Sequence, residues 1–206
     1  MTASTRDQFL SAAEHLFAEK GFYGASIATI ARELGLTKQA LLHHFGNKEK
    51  LYGEVLRSIS ERLGASIDSI RASVSSPAEQ LEEMVVAQYR AQIEDQDSAR
   101  LIMRELLDNE QRADQAGNWY LKDYLEELVT TVQSVKSCES RSRARSLALV
   151  YQLLGAAHYF AVSQPTLGSI FGKTELADTR ACFEAELRSL VRAALHQAGP
   201  ARAGQQ

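Results

Sequence analysis

A chain of 206 residues is long enough for one large or two small domains with a sizeable core. Its 45% hydrophobic and 24% charged content excludes a collagen-like, disulfide-scaffolded or largely disordered protein. A net charge of −3 excludes a uniformly basic nucleic-acid coat, but the charge divides by region: residues 1–52 hold six basic and five acidic side chains, the remainder seventeen and twenty-one.

The opening "MTASTRDQFL" lacks the basic region and apolar core of a signal peptide. The two cysteines, Cys138 and Cys182, have no CxxC spacing, so we expect a reduced, cytoplasmic protein in which they are packing groups or surface thiols. Three prolines and no run of alternating β-branched residues make the chain helical nearly throughout.

The first helix is expected to follow Ser4 and end near Gly21, with Phe9, Ala13, Leu16 and Phe17 on its inner face. Ser26 caps a short second helix with Ile27, Ile30, Ala31 and Leu34 inward, and Gly35 makes a tight turn. Thr37 caps a third short helix seated by Leu41 and Phe45, and Asn47 caps a fourth running to about Ser73. Two short helices joined by residues 34–37 have helix-turn-helix spacing.

Further on, Ser76-Pro77-Ala78-Glu79 reads as a capping box opening a helix to about Glu94. Asp97 starts another, to about Leu107. "DNEQRADQAGN" reads as a polar connection, 119–135 as helix, and "GPARAGQQ" as a frayed tail. Two long helices are expected over 141–163 and 175–197, separated by "QPTLGSIFG". The uncharged stretch 146–172 mimics a membrane span. Its continuous apolar part carries Gln152 and His158 and is shorter than the ~20 residues a span needs, so a buried helix and no membrane association are expected. The fold class is all-α. An N-terminal three-helix helix-turn-helix domain (residues 1–52) is expected to be joined by a linking helix to a larger C-terminal helical bundle (53–200), with about nine helices in total and a flexible tail (201–206).

A helix as short as the third fits the B-DNA major groove. With Leu41 and Phe45 buried, Lys38, Gln39, Leu42 and His43 fall on its open side. Lys38 can donate to guanine or to a phosphate, Gln39 can pair with the adenine edge, and Ala40 can touch a thymine methyl. His44 and Lys48 suit phosphates, as do the hydroxyls of Ser26 and Thr37 at helix starts. Spacing alone favours an ordinary solvated face and does not settle the matter.

The ordered set decides more. Ala13, Leu16, Phe17, Gly21 and Phe22, then Ser26-Ile27, Ile30-Ala31, Leu34-Gly35-Leu36-Thr37-Lys38 and His44-Phe45-x-x-Lys48-Glu49-x-Leu51 resemble the DNA-binding domain of TetR-family transcriptional regulators over about 50 residues. The resemblance implies a one-component regulator, usually a homodimeric repressor that leaves a palindromic operator when a small molecule enters the C-terminal bundle. It carries DNA contacts to Ser26, Thr37, Lys38, Gln39, Ala40, His43, His44 and Lys48. Where Gln39 stands the family commonly has glycine, and where Leu42 stands it has a phosphate-contacting tyrosine. A side chain able to read a base is gained, and a hydroxyl is lost.

In the C-terminal region Leu147, Leu154, Leu187, Leu190, Val191 and Ala194 are candidates for a helical dimer interface. Tyr89, Met103, Trp119, Tyr124, Tyr151 and His158 are candidates for the pocket of an apolar or aromatic effector. Ordinary core packing is the competing reading for each of these six. Arg104 and Glu105 are expected as a solvated pair. An enzyme would need a catalytic constellation, and the sequence holds no HExxH, GxSxG or Gly-rich phosphate loop. His43 and His44 point about 100° apart on a helix and do not share a metal easily, so neither metal nor other cofactor is expected. A DNA binder without a small-molecule switch is the remaining alternative.

Overall fold

The computed structural model describes residues 4–108 and 120–196. Trp119, most of the polar connection and the C-terminal tail lie outside the described residues. Among those described there are nine α-helices and no strand, in keeping with an all-α chain. They are α1 (Thr5–Gly24), α2 (Ile27–Glu33), α3 (Lys38–Phe45), α4 (Lys48–Ser73), α5 (Pro77–Glu94), α6 (Gln96–Asp108), α7 (Lys122–Ser134), α8 (Arg143–Phe171) and α9 (Lys173–His196). They group into two compact units, one from residues 1–62 and 95–120, the other from 63–94 and 121–206.

In the first unit, polar caps punctuate the helices. Ser4 and Asp7 form a capping box at α1, Ser26 accepts from the Thr29 N–H at α2, and Asn47 accepts from the Lys50 N–H at α4. Gly21, with φ 71°, breaks the helical path of α1 and a last turn follows it to Gly24. Buried Phe9, Leu16 and Phe17 of α1 meet Ile30 of α2, Leu41 and Phe45 of α3 and Leu51 and Val55 of α4 in one core. The Tyr52 ring joins it edge-on to Phe17, with centroids 4.9 Å apart.

α6 packs against α1 in this unit and adds Ala99, Leu101 and Ile102 to the buried set. Its cap is Asp95, whose Oδ1 accepts from the Ser98 N–H, so the helix begins ahead of the expected Asp97. Asp97 instead faces His15 of α1 at 2.7 Å, a contact that raises the histidine's pKa above its ordinary value. Arg104 and Glu105 do not form the expected solvated pair, because neighbours on a helix diverge by about 100°. The Arg104 guanidinium donates to main-chain carbonyls of α1, and Glu105, 7% exposed, accepts from the Tyr52 hydroxyl at 2.6 Å.

The second unit packs α5, α7, α8 and α9 together. Leu81 and Val85 of α5, Leu128 of α7, Leu153 of α8 and Val191 of α9 are among its fully buried side chains. α8 has the length and apolar composition to cross a membrane, but here one face is packed and buries Ser146, His158 and Gln164. The expected break at Pro165 is absent. The helix continues through it to Phe171 and stops at Gly172, whose φ of 89° favours glycine, with the Gly172 N–H closing on the Gly168 carbonyl at 3.1 Å. Proline removes one backbone donor, whereas a positive φ ends the helical path outright. At the far end of α9, Ser137 and Arg141 donate to the carbonyls of Leu195 and Ala194.

Glu82 ties α5 to α9. It is almost fully buried and accepts from Arg188 at 2.9 Å and from Arg192 at 2.6 and 2.7 Å. The Arg192 guanidinium, more than desolvation opposes it, holds the Glu82 carboxyl below its usual range. A depressed carboxylate contributes stability above its unfolded pKa and loses it as pH falls through the folded one. Glu82→Gln is therefore expected to cost the second unit about 1.5–3 kcal/mol near neutral pH. Chemical denaturation should show the deficit shrinking toward acid pH, and a constant deficit would contradict the assignment.

Candidate nucleic-acid interface

The two short helices are joined by a turn whose bonds explain its shape. At the end of α2 the Gly35 N–H donates to the Arg32 carbonyl at 3.0 Å and the Leu36 N–H to the Ala31 carbonyl at 2.9 Å. This is a Schellman closure, which needs a left-handed residue, and Gly35 supplies it with φ 65°. Thr37 then takes extended dihedrals and accepts from the Ala40 N–H at 3.2 Å, starting α3. Gly46, with φ 78°, ends α3 after eight residues. At about 1.5 Å per residue such a helix is about as long as the major groove is wide.

Leu41 and Phe45 sink into the core, and Phe45 meets Phe9 edge-on with centroids 6.3 Å apart. Burying each such side chain is worth about 1.5–3 kcal/mol, which locks the rotation of α3 about its axis. The opposite side is thereby fixed outward. Lys38, Gln39 and His43 are exposed, as are Ser26, Thr37 and His44, while Ala40 and Leu42 are half-buried. Six of the candidate contacts are therefore exposed in the first unit.

Two of the candidate phosphate contacts are more constrained than spacing suggests. The His44 ring lies 5.7 Å from Phe9 and 5.8 Å from His43, so its orientation is set by aromatic neighbours. The Lys48 ammonium sits 4.5 Å from the centroid of the Phe22 ring, and partial burial lowers its pKa from the ordinary lysine value. A cation held over an aromatic face keeps its charge and loses much of its side-chain freedom. Phe22, read in the sequence only as part of a pattern, thus becomes the residue that aims Lys48.

Beside the carbonyl end of α3 lies an open cleft of about 710 Å³, lined by Arg6, His44, Lys50, Glu54 and Arg57 among others. Arg6 lies 5.3 Å from the Phe45 ring centroid and donates to Glu54 at 2.7 Å, and Arg57 donates to the same carboxylate at 2.6 Å. These cations escaped the sequence reading because Arg6 and Arg57 stand far from α3 in the chain. Residues 48–57 hold three basic and two acidic side chains, too even a balance to signal a basic cleft. No group of three or more His, Cys, Asp or Glu side chains capable of holding a metal occurs among the described residues.

The remaining candidates disperse. Tyr89, Tyr124 and His158 are buried in the second unit, Met103 belongs to the first, and Tyr151 is 50% exposed on α8. Leu187 and Val191, at 2% and 0% exposure, belong to the chain's own core, whereas Leu147 and Leu190 are open and Leu154 and Ala194 half-buried.

Residues 9–55 match the model of the bacterial regulatory proteins of the tetR family. The repressor KstR2 of Mycolicibacterium smegmatis is 34% identical over 89 residues, a stretch covering 43% of each chain. The chain therefore aligns with less than half the length of that curated relative. A solved structure described as the molecular basis for control of antibiotic production by bacterial hormones superposes with a TM-score of 0.63. It is 26% identical and covers 94% of this chain and 98% of its own. The transcriptional regulator FadR of Bacillus subtilis, solved in complex with stearoyl-CoA, superposes with a TM-score of 0.68 over 92% of this chain and 97% of its own, at 18% identity. The helix-turn-helix motif, its ordered sequence pattern and the family match coincide over residues 9–55, which form a DNA-binding domain of the tetR type, and the rest of the chain shares the fold of these regulators.

Proposed function

We propose that this protein is a one-component transcriptional repressor of the cytoplasm, without enzymatic activity, that binds an inverted-repeat operator as a homodimer and releases it to a small-molecule effector. The observation that carries the reading is α3 itself, a helix capped at both ends and pinned on one side by Leu41 and Phe45. Its exposed side offers Lys38, Gln39 and His43. Curated relatives matched over this region are named repressors. DNA contact is assigned to residues 1–52, effector binding and dimerisation to 53–200.

The dimer reading rests on α8 and α9. Leu147, Tyr151, Gly155 and Tyr159 recur every fourth residue on the open side of α8, and Leu190 of α9 is 44% exposed. An exposed stripe of that kind on a long helix suits a self-complementary partner. Leu147, Leu154, Leu190 and Ala194 are the interface candidates that a second chain can reach.

For the effector, the second unit offers buried Tyr89, Tyr124 and His158, the last 2.6 Å from Gln92. Burial pushes the Tyr124 phenol far above its ordinary pKa, so it stays a neutral group. Gln88 Oε1 and Gln164 Nε2 are buried without a hydrogen-bond partner among the described residues, a costly state that a ligand with its own polar groups would relieve. The effector is accordingly a molecule with an apolar or aromatic body and neutral hydrogen-bonding groups.

Selection of genomic fragments by the purified protein at moderate salt should recover an inverted repeat. Its half-sites should lie about 34–36 Å apart, bound by two chains. Recovery of no palindromic sequence would remove the main support for an operator-binding regulator. Within that repeat, Gln39→Ala should relax preference at one base pair per half-site, at a cost of about 1–3 kcal/mol. An unchanged selected motif would show that Gln39 reads no base. Leu42→Tyr should restore a hydroxyl toward the backbone and tighten binding to all duplexes alike, with the salt slope unchanged because a neutral hydroxyl displaces no counterion. A changed base preference would instead show that Leu42 touches a thymine methyl.

A further inference from the structure

The carbonyl end of α1 carries a feature that the recognition motif does not include. Gly21 leaves the helical region with φ 71° and ψ 172°, and the chain must then turn toward Ser26, the cap of α2. In the turn before this break, the carbonyls of Ala18 and Glu19 receive donors from another helix: Arg104 of α6 gives its Nε–H to Ala18 O at 2.9 Å and its Nη2–H to Glu19 O at 3.0 Å. A guanidinium offers these two donors along one rigid edge, matched to a pair of acceptors in a way that an ammonium is not. Its positive charge also complements the negative end of the helix dipole. The fit is close on the third side as well, since a Cβ at Gly21 would lie 3.3 Å from Arg104 Nη1.

We propose that Arg104 is a positioning residue for DNA recognition: its guanidinium caps the helical segment that ends at Gly21 and fixes the direction in which the chain enters α2. It touches no DNA. It acts through the α1–α2 corner, which sets where the Ser26-capped helix lies and hence where α3 is presented. α6 is held in place for this task by two further ties, from its Asp97 to His15 of α1 and from its Glu105 to Tyr52 of α4. The inference rests on the DNA-binding reading above, and half of its test is independent of that reading.

The test compares wild type, Arg104→Ala and Arg104→Lys as full chains. Hydrogen exchange should be about tenfold faster at the amides of residues 22–29 in both variants, the weight of about 1.4 kcal/mol, with α5, α8 and α9 unchanged. The operator duplex recovered by genomic selection should bind both variants at least about tenfold more weakly. Lysine keeps the charge and the aliphatic stem, so a packing or charge role would be rescued by Arg104→Lys, and such rescue overturns the proposal. Should Arg104→Ala not fold, Arg104→Lys decides alone. Unchanged exchange at residues 22–29 overturns the cap, and faster exchange with undiminished DNA affinity overturns its role in recognition. If wild type recovers no duplex, the DNA reading fails, while the exchange data still accept or reject the cap.

Discussion

A helix of eight residues has no stability of its own in water. Everything that α3 can do depends on its seat, the insertion of Leu41 and Phe45 into the core formed with α1, α2 and α4. That seat serves two ends. It supplies the energy that keeps the helix formed, and it fixes which residues face outward, because rotating α3 by one residue would withdraw Gln39 and expose an apolar ring. Left-handed glycines at positions 35 and 46 then allow the chain to enter and leave the helix abruptly. The interface is short because it is bounded by glycine, and rigid because it is pinned by two side chains.

The charge of the whole chain matters little beside this geometry. Net acidity of −3 is compatible with binding a polyanion when donors are few, local and held. Lys48 is stationed over Phe22, and His44 is oriented by Phe9. Such pre-aiming reduces the side-chain entropy lost on binding. Gln39 and Leu42 mark where this surface departs from the family's common pattern. An exposed amide stands at one position and a half-buried aliphatic side chain at the other.

Features governed by neighbours in sequence were legible beforehand. Ser4, Ser26, Thr37 and Asn47 cap helices because a hydroxyl or amide oxygen reaches an N–H two or three residues on, and Gly35 turns because few other residues tolerate its φ. The buried residues of α1 to α3 followed from helical spacing for the same reason. Features governed by distant partners were not legible. Nothing around Arg104 and Glu105 announces that one reaches Ala18 and the other Tyr52, since those partners lie more than fifty positions away. Pro165 misled in a different way. As a local signal it reads as a stop, yet the helix tolerates one missing donor and stops where Gly172 forces it to.

The placement of α6 alters what counts as the DNA-binding unit. By sequence, the unit ends within the first sixty residues. By contact, it includes a helix that the chain reaches only after building α5 of the other unit. Ala99, Leu101 and Ile102 bury themselves in the first unit, and Glu105 occupies an interior site that only a partner such as Tyr52 makes tolerable. Residues 1–62 alone would expose that apolar surface of α1 and leave the Tyr52 hydroxyl without the carboxylate it serves. The first unit is therefore complete only when chain from beyond α5 has returned to it.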